Sequence, residues 1–459
     1  MQLNTCPKTD LKKAQLAMEK ACGPQDFTWI DAAMRKQLMD VEGTIVDIVL
    51  LLKLKHPEGK GAHISPPTYA ENEKHPYQFK GGILPYGDEG ALCILLANPA
   101  RMRAARDRMF MDHYKEACDG NFEFNLALLM GHPFVSFPHD PAPINYHLLQ
   151  HSHSLVDSIF MHSGYGGEVY QCLEDVHRND WLSCMKLHFS TAMGGFWSSR
   201  GVTEQEQVAR YLTSVIEAVG VKVVPTAGQY RPTLSDPVVK RHFYANAYSD
   251  DSADVVSDSL SSLGAKHCPV NADNRFVTAE EIYLRSRFNV ARIREMGCSD
   301  PAMLLHMRRY FFCMNLISLM MPPTLNLRGN MNLIMEPGQS IEPVAVRYDG
   351  SEEKVPYSRK QIYQMALVSA VALGIDPTPR VKNFDDDLFA KLMVYEANVA
   401  AKVWHKSSSM TEVVKALAAG RTFDEIISDD LIKVKKAEKA EGEEKPAAKK
   451  PAGRSSKKK

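Results

Sequence analysis

The sequence predicts a mainly α-helical protein: a two-lobed helical body, a small β-hairpin or meander element, and a disordered basic C-terminal tail. Three observations lead to that class. Helix-start signals recur, with Thr203 and Glu206, Thr278 and Glu281, and Ser358 and Gln361 at capping-box spacing. Asn98-Pro99 and Asp300-Pro301 add a cap residue followed by proline at the first helical position. Short extended runs broken by Glu336-Pro337-Gly338-Gln339 and Asp349-Gly350 are confined to about residues 325–357, which reads as a β arm. The Gly194–Gly201 segment interrupts the helical series and divides the chain into lobes at 1–195 and 196–432, with a tail at 433–459.

Composition fits a folded body with a charged appendage. Hydrophobic residues make up 44% and charged residues 24% of 459 positions, which is ordinary globular usage and excludes a fibrous or wholly disordered chain. The zero net charge is an average: from Lys433 onward there are 11 Lys or Arg against 4 Glu, so the body carries the balancing seven negative charges. A body of that sign draws nucleic acid only through local patches or through the tail. Nine cysteines without a Cys-x-x-Cys pair point to a reducing, intracellular compartment, cytoplasm or nucleus. The longest oily run, Ile45 to Leu54, is too short to span a bilayer, so no membrane partner is expected.

In chain order, residues 11–22 predict a short helix, and Asp26 or Thr28 starts a longer, buried one through Lys55. Residues 56–88 are irregular, and Asn98-Pro99 opens a helix to Cys118. Helices follow over 144–162, 167–190 and 203–220, with a short strand at 221–224 and a helix from Asp236 to about Tyr248. Two more run from Thr278 to Gly297 and from Pro301 to Met321. After the β arm, helices from Ser358 to Gly374, about Phe384 to Trp404, Thr411 to Ala419 and Phe423 to about Glu438 complete the body.

The Thr278–Met321 stretch is the candidate working surface. On a helix, Arg285 and Arg292 share one face and Arg287 and Arg294 another, about 200° away, so the four cannot reach one ligand. Arg308 and Arg309 precede Tyr310-Phe311-Phe312 on the next helix. Arg101 and Arg108 form a further pair, on the opposite side of their helix from Arg103 and Arg106. One edge is expected to meet phosphate and the other to pair with carboxylates, and each lost phosphate contact of a single-stranded nucleic acid should flatten the salt dependence by roughly 0.7.

Other chemistry is thin. His147 and His151 have the i, i+4 spacing of metal ligands, but no His-Glu-x-x-His or cysteine pair accompanies them; no metal and no cofactor are expected. No Gly-x-Ser-x-Gly or Walker loop is present, and Asp385-Asp386-Asp387 suits a helix N-terminus, so the chain does not read as an enzyme. In the tail, Lys435-Lys436, Lys449-Lys450 and Lys457-Lys458-Lys459 have the layout of a bipartite nuclear-import signal, whose partner would be an import receptor.

The α-rich two-lobed body, glycine hinge, arginine-bearing helices, β arm and basic tail together resemble the nucleocapsid and coat proteins of RNA viruses in gross organisation. That resemblance implies a self-assembling homo-oligomer that holds RNA between its lobes without base reading, located in the virion. Two alternatives stay open: a nuclear adaptor or chromatin-associated protein using its tail, and a metal-dependent enzyme built on the His147/His151 region.

Overall fold

The segment 45–55 decides the architecture. Ile48, Leu50, Leu52 and Leu54 are at most 3% exposed, while Leu51 among them is 53% exposed. Burial at every second residue is a strand, because successive side chains of an extended chain point to opposite faces. The long helix expected from 26 to 55 therefore stops early, as α1 (Thr28–Met39).

The computed structural model describes residues 28–40, 43–64, 93–97, 99–118, 126–138, 145–151, 154–197, 207–225, 275–321, 325–328, 331–405, 407 and 410–434. Its main element is a seven-stranded antiparallel sheet of β1 (Ile45–Lys55), β2 (Cys93–Ala97), β3 (Leu212–Val219), β4 (Glu281–Asn289), β5 (Ile334–Met335), β6 (Val344–Arg347) and β7 (Glu352–Lys354). The order across it is β7-β6-β1-β4-β3-β2, with β5 also pairing β1. The mainly α expectation is thus overturned: this is a mixed α and β chain organised on an antiparallel sheet. Strands from both sides of residue 195 share that sheet, since β1 lies between β4 and β6.

Two expected helices are strands. Over 281–289 the inward residues Ile282, Leu284, Ser286 and Phe288 alternate with outward Tyr283, Arg285 and Arg287, and the chain then turns through a short 3₁₀ segment, Ala291–Glu295. Over 212–219 burial alternates just as strictly. The helix expected over 144–162 is instead a strand at Asn145–His147 with two single turns, Leu148–His151 and Ser158–Met161. The strand expected at 221–224 lies at Lys222–Pro225, paired with Arg275–Thr278.

Helices cover one face of the sheet. α2 (Pro99–Cys118) starts at the expected proline, and α3 (Gly166–His177) and α4 (Leu182–Gly194) replace the single helix expected over 167–190. α5 (Pro301–Met320) starts where expected, with Asp300 accepting from the Ala302 amide. α6 (Arg359–Leu373) has the full Ser358/Gln361 capping box and ends at Gly374, whose φ of 68° is the left-handed conformation glycine adopts without strain. α7 (Asp386–Ala400) is capped by Asp385, which accepts from the Leu388 amide, so the aspartate run serves a helix start. The helices Met410–Ala418 and Phe423–Ser428 follow.

The core lies between the inner sheet face and α2 and α5. Phe288 of β4 meets Phe312 of α5 with ring centroids 5.7 Å apart. Between these layers Arg106 is 1% exposed and spans all three elements: its guanidinium donates to Ser214 Oγ of β3, Ser286 Oγ of β4 and the Ser318 carbonyl of α5. Burial lowers its pKa to about 10, so it stays charged at neutral pH. A second, three-stranded sheet joins Pro379–Asn383 in parallel to His132–Ser136, which pairs in turn with Asn145–His147.

Candidate functional site

With helices on one side, the other face of the main sheet faces outward, and its charges are arranged in cross-strand pairs. Each pair is a diagonal one, offset by two residues in the register, which keeps both side chains on the same face. Arg285 of β4 reaches Glu217 of β3 at 2.6 Å, Arg287 reaches Asp47 of β1 at 2.7 Å, and Lys53 of β1 reaches Glu281 of β4 at 2.8 Å. The Tyr283 hydroxyl also donates to Glu281, and the Arg285 guanidinium lies 5.4 Å from the Tyr283 ring centre. The Lys53 hydrogen bond holds the Glu281 carboxyl below its usual range, and the same bond raises Lys53. Leu51, opposite Arg285, stands exposed in the middle.

The two rows of arginines expected from helical geometry therefore do not exist. Arg285 and Arg287 are two residues apart on a strand and share one face, and each already has a carboxylate. The face is mixed and charge-balanced, with Val49, Leu51, Val215 and Tyr283 between the pairs. Because these pairs are solvent-exposed, Arg285→Ala with Glu217→Ala should change the unfolding free energy by less than about 1 kcal/mol in urea titration. A larger loss would mean the pair is held by a covered surface.

The other arginines are built into the scaffold. Arg292 stacks on Tyr211, 4.4 Å from the ring centre, and donates to the Ala209 carbonyl at 3.1 Å. Burial pushes Tyr211 up to about 12 against the opposing effect of that guanidinium. Arg294 donates to the Gln37 carbonyl and the Tyr348 hydroxyl, both at 3.2 Å. Arg308, 8% exposed, donates to the carbonyls of Met296, Leu38 and Arg294, and burial lowers its pKa. Arg309 is equally buried within α5. On α2 the side chain of Arg101 lies outside the described residues and Arg108 is half-buried. Its neighbour Arg103 donates to the Ser190 and Gly195 carbonyls.

The histidines form a neutral chain. The Leu149 amide donates to His147 Nδ1, His147 Nε2 lies 3.1 Å from His132 Nδ1, and His132 Nε2 lies 2.9 Å from the Ala127 carbonyl. A carbonyl only accepts, so His132 Nε2 carries the proton, its Nδ1 accepts, and His147 Nε2 must donate. Both nitrogens of His147 are thus committed and cannot hold a metal, which removes the metal-dependent enzyme on His147 and His151. The His151 side chain lies outside the described residues, among which no group of three metal-ligating side chains occurs. Among the same residues no helix is long and apolar enough to cross a membrane. The tail residues Lys435, Lys436, Lys449, Lys450, Lys457, Lys458 and Lys459 lie outside the described residues.

Comparison with known proteins adds the following. Residues 48–223 match a family described as CRISPR-associated protein GSU0053. That span runs from β1 through β2, α2, α3 and α4 to β3, and so contains three strands of the main sheet. A solved structure titled "CRISPR RNA-guided surveillance complex, pre-nicking" aligns over 70% of this chain and 82% of that one, at 13% identity and a TM-score of 0.25. A likeness of that size carries no structural conclusion. Among curated proteins, none matches the sequence. The resemblance to viral nucleocapsid and coat proteins is overturned by the family match and by the antiparallel sheet, and the virion and the nuclear adaptor reading fall with it.

Proposed function

We propose that this protein is a non-catalytic subunit of a CRISPR RNA-guided ribonucleoprotein, working inside the cell in contact with RNA and with neighbouring protein subunits. The observation that carries the reading is the family match over residues 48–223, whose family is described as CRISPR-associated. The geometry agrees with a binding role. An outward sheet face with Leu51, Val49, Val215 and Tyr283 among balanced charges has the composition of a contact surface, with apolar positions inside a polar surround.

The reading is tested by co-expressing the full chain with a CRISPR-array transcript and its neighbouring subunits, then sequencing the RNA that purifies with it. Repeat-derived RNA should be enriched at least about tenfold over total cellular RNA, as selective binding requires. Protein free of RNA, or carrying cellular RNA in unselected proportion, would overturn it.

A further inference from the structure

Beside the edge of the main sheet a cavity of about 410 Å³ opens between α1, the start of β1, α5 and the β7–α6 connection. Its floor is apolar: Met34, Leu38 and Phe312 are 2%, 0% and 3% exposed. Half-buried Tyr357 forms one wall. Lys36 and Arg347 stand at the rim. The volume is within the roughly 300–1,000 Å³ of small-molecule sites and exceeds what one aliphatic side chain fills.

Positive charge collects around it. Arg347 is shared between Glu353 and the Thr44 hydroxyl. Lys36, at the end of α1, pairs with no carboxylate among the described residues, and neither do Arg294 and Arg308 just behind the lining, which donate to carbonyls of α1 and its surroundings. The lining thus holds two cations, Lys36 and Arg347, against one carboxylate, Glu353, with Asp40 on the adjoining loop. Gly43 permits the arrangement: a Cβ there would lie 2.6 Å from Arg294 Nη1 and 2.8 Å from the Gln37 carbonyl. The Gln37 amide is spent on both backbone groups of Ile45, leaving no side-chain amide to read an edge.

An apolar, aromatic-walled hollow with a cationic rim fits a flat ring carrying an anion. Resting on the ribonucleoprotein reading above, we propose that the cavity takes one nucleotide of a bound RNA strand, its base against Met34, Phe312 and Tyr357 and its phosphate on Lys36 and Arg347. Stacking on aromatic rings tolerates any base, and the committed Gln37 amide adds no selection.

The test titrates nuclease-treated full-length protein with AMP, UMP and adenosine, followed by saturation-transfer NMR, and with inorganic phosphate, followed by its displacement of bound AMP. AMP and UMP should bind within about fivefold of one another at dissociation constants below about 5 mM, with adenosine and phosphate each about tenfold weaker. Lys36→Glu should weaken AMP about tenfold, with Arg347→Gln as a second rim variant. Both side chains are outside the core, so an unchanged melting midpoint is expected and is measured alongside. Phosphate binding as well as AMP, or AMP binding indifferent to both variants, would overturn the proposal. So would binding of an acidic peptide such as acetyl-Asp-Leu-Asp-Glu-amide in place of AMP, which would assign the cavity to a protein partner. The RNA sequencing above separates the two failures. Repeat-derived RNA without nucleotide binding refutes the cavity alone, whereas loss of RNA from the wild-type complex refutes the ribonucleoprotein reading and removes RNA as the occupant's source.

Discussion

Arg106→Ala should lower the unfolding free energy by about 3–5 kcal/mol, read as a large fall in the urea midpoint, because it combines a cavity with stranded polar groups. The guanidinium joins two strands to a helix. Its Nη2 lies 3.0 Å from Ser214 Oγ and 2.9 Å from Ser286 Oγ, and the two hydroxyls are themselves 2.8 Å apart. Removing it leaves both hydroxyls and the Ser318 carbonyl short of donors in a dry layer. Among the described residues Arg106 has no carboxylate, so it bears a desolvation cost that a neutral chain of similar volume avoids. Arg106→Met should therefore cost less than alanine. Arg106→Lys gathers its three donors on one nitrogen and lacks the planar fork that spreads them over two strands and a helix, so it should resemble alanine more than methionine. An alanine variant within about 1 kcal/mol of wild type would mean the layer collapses freely around the gap.

The second large effect is acid sensitivity at His132. Burial lowers its pKa from 6.5 to about 4, overriding the opposite influence of the Ala127 carbonyl. The hydrogen-bond chain supplies a reason in geometry, since a proton on Nδ1 would set two N–H groups against each other across 3.1 Å. The folded pKa lies below the unfolded one, so between about pH 6.5 and 4 the unfolded chain binds the proton that the folded chain refuses. Stability from this group is complete above pH 6.5 and is lost as pH falls towards 4, by about 2–3 kcal/mol between pH 7 and 4.5. His132→Asn should flatten that part of the profile whatever its effect at pH 7. Equal slopes for the two proteins would show that His132 is not the group responsible.

Helices announced by a cap were legible in the sequence: Pro99, Asp300-Pro301 and Ser358 with Gln361 all begin helices where expected, because those signals are local. The strands at 45–55, 212–219 and 281–289 were not, although the short strand at 221–224 and the extended runs of 325–357 were. Residues 45–55 are apolar on nearly every side, so positions 45, 48, 49 and 52 satisfy a helical stripe as well as 48, 50, 52 and 54 satisfy a strand face. Only pairing with β4 and β6 breaks the tie. In 281–289 the alternation was present in Ile282, Leu284 and Phe288, but Ser286 interrupted it, and Thr278 with Glu281 imitated a capping box. Ser286 is polar and buried because Arg106, 180 positions away, bonds it. The candidate arginines of this segment were read with the wrong period, so Arg285 and Arg287, which pair with carboxylates on one face, were assigned to opposite faces. The cavity at α1 draws its lining from residues 34 to 357, a grouping that no local pattern announces.

The position of β1 inside the sheet has a cost during synthesis. Lys53 meets Glu281, 228 residues later. At about 5–20 residues per second, the ribosome needs roughly 10–45 s after making β1 before β4 exists, and longer before β6 closes its other edge. For that time an eleven-residue apolar strand waits with both edges unpaired. Nascent chains halted before residue 281 should therefore be strongly aggregation-prone, and a holdase chaperone should bind them until β4 emerges.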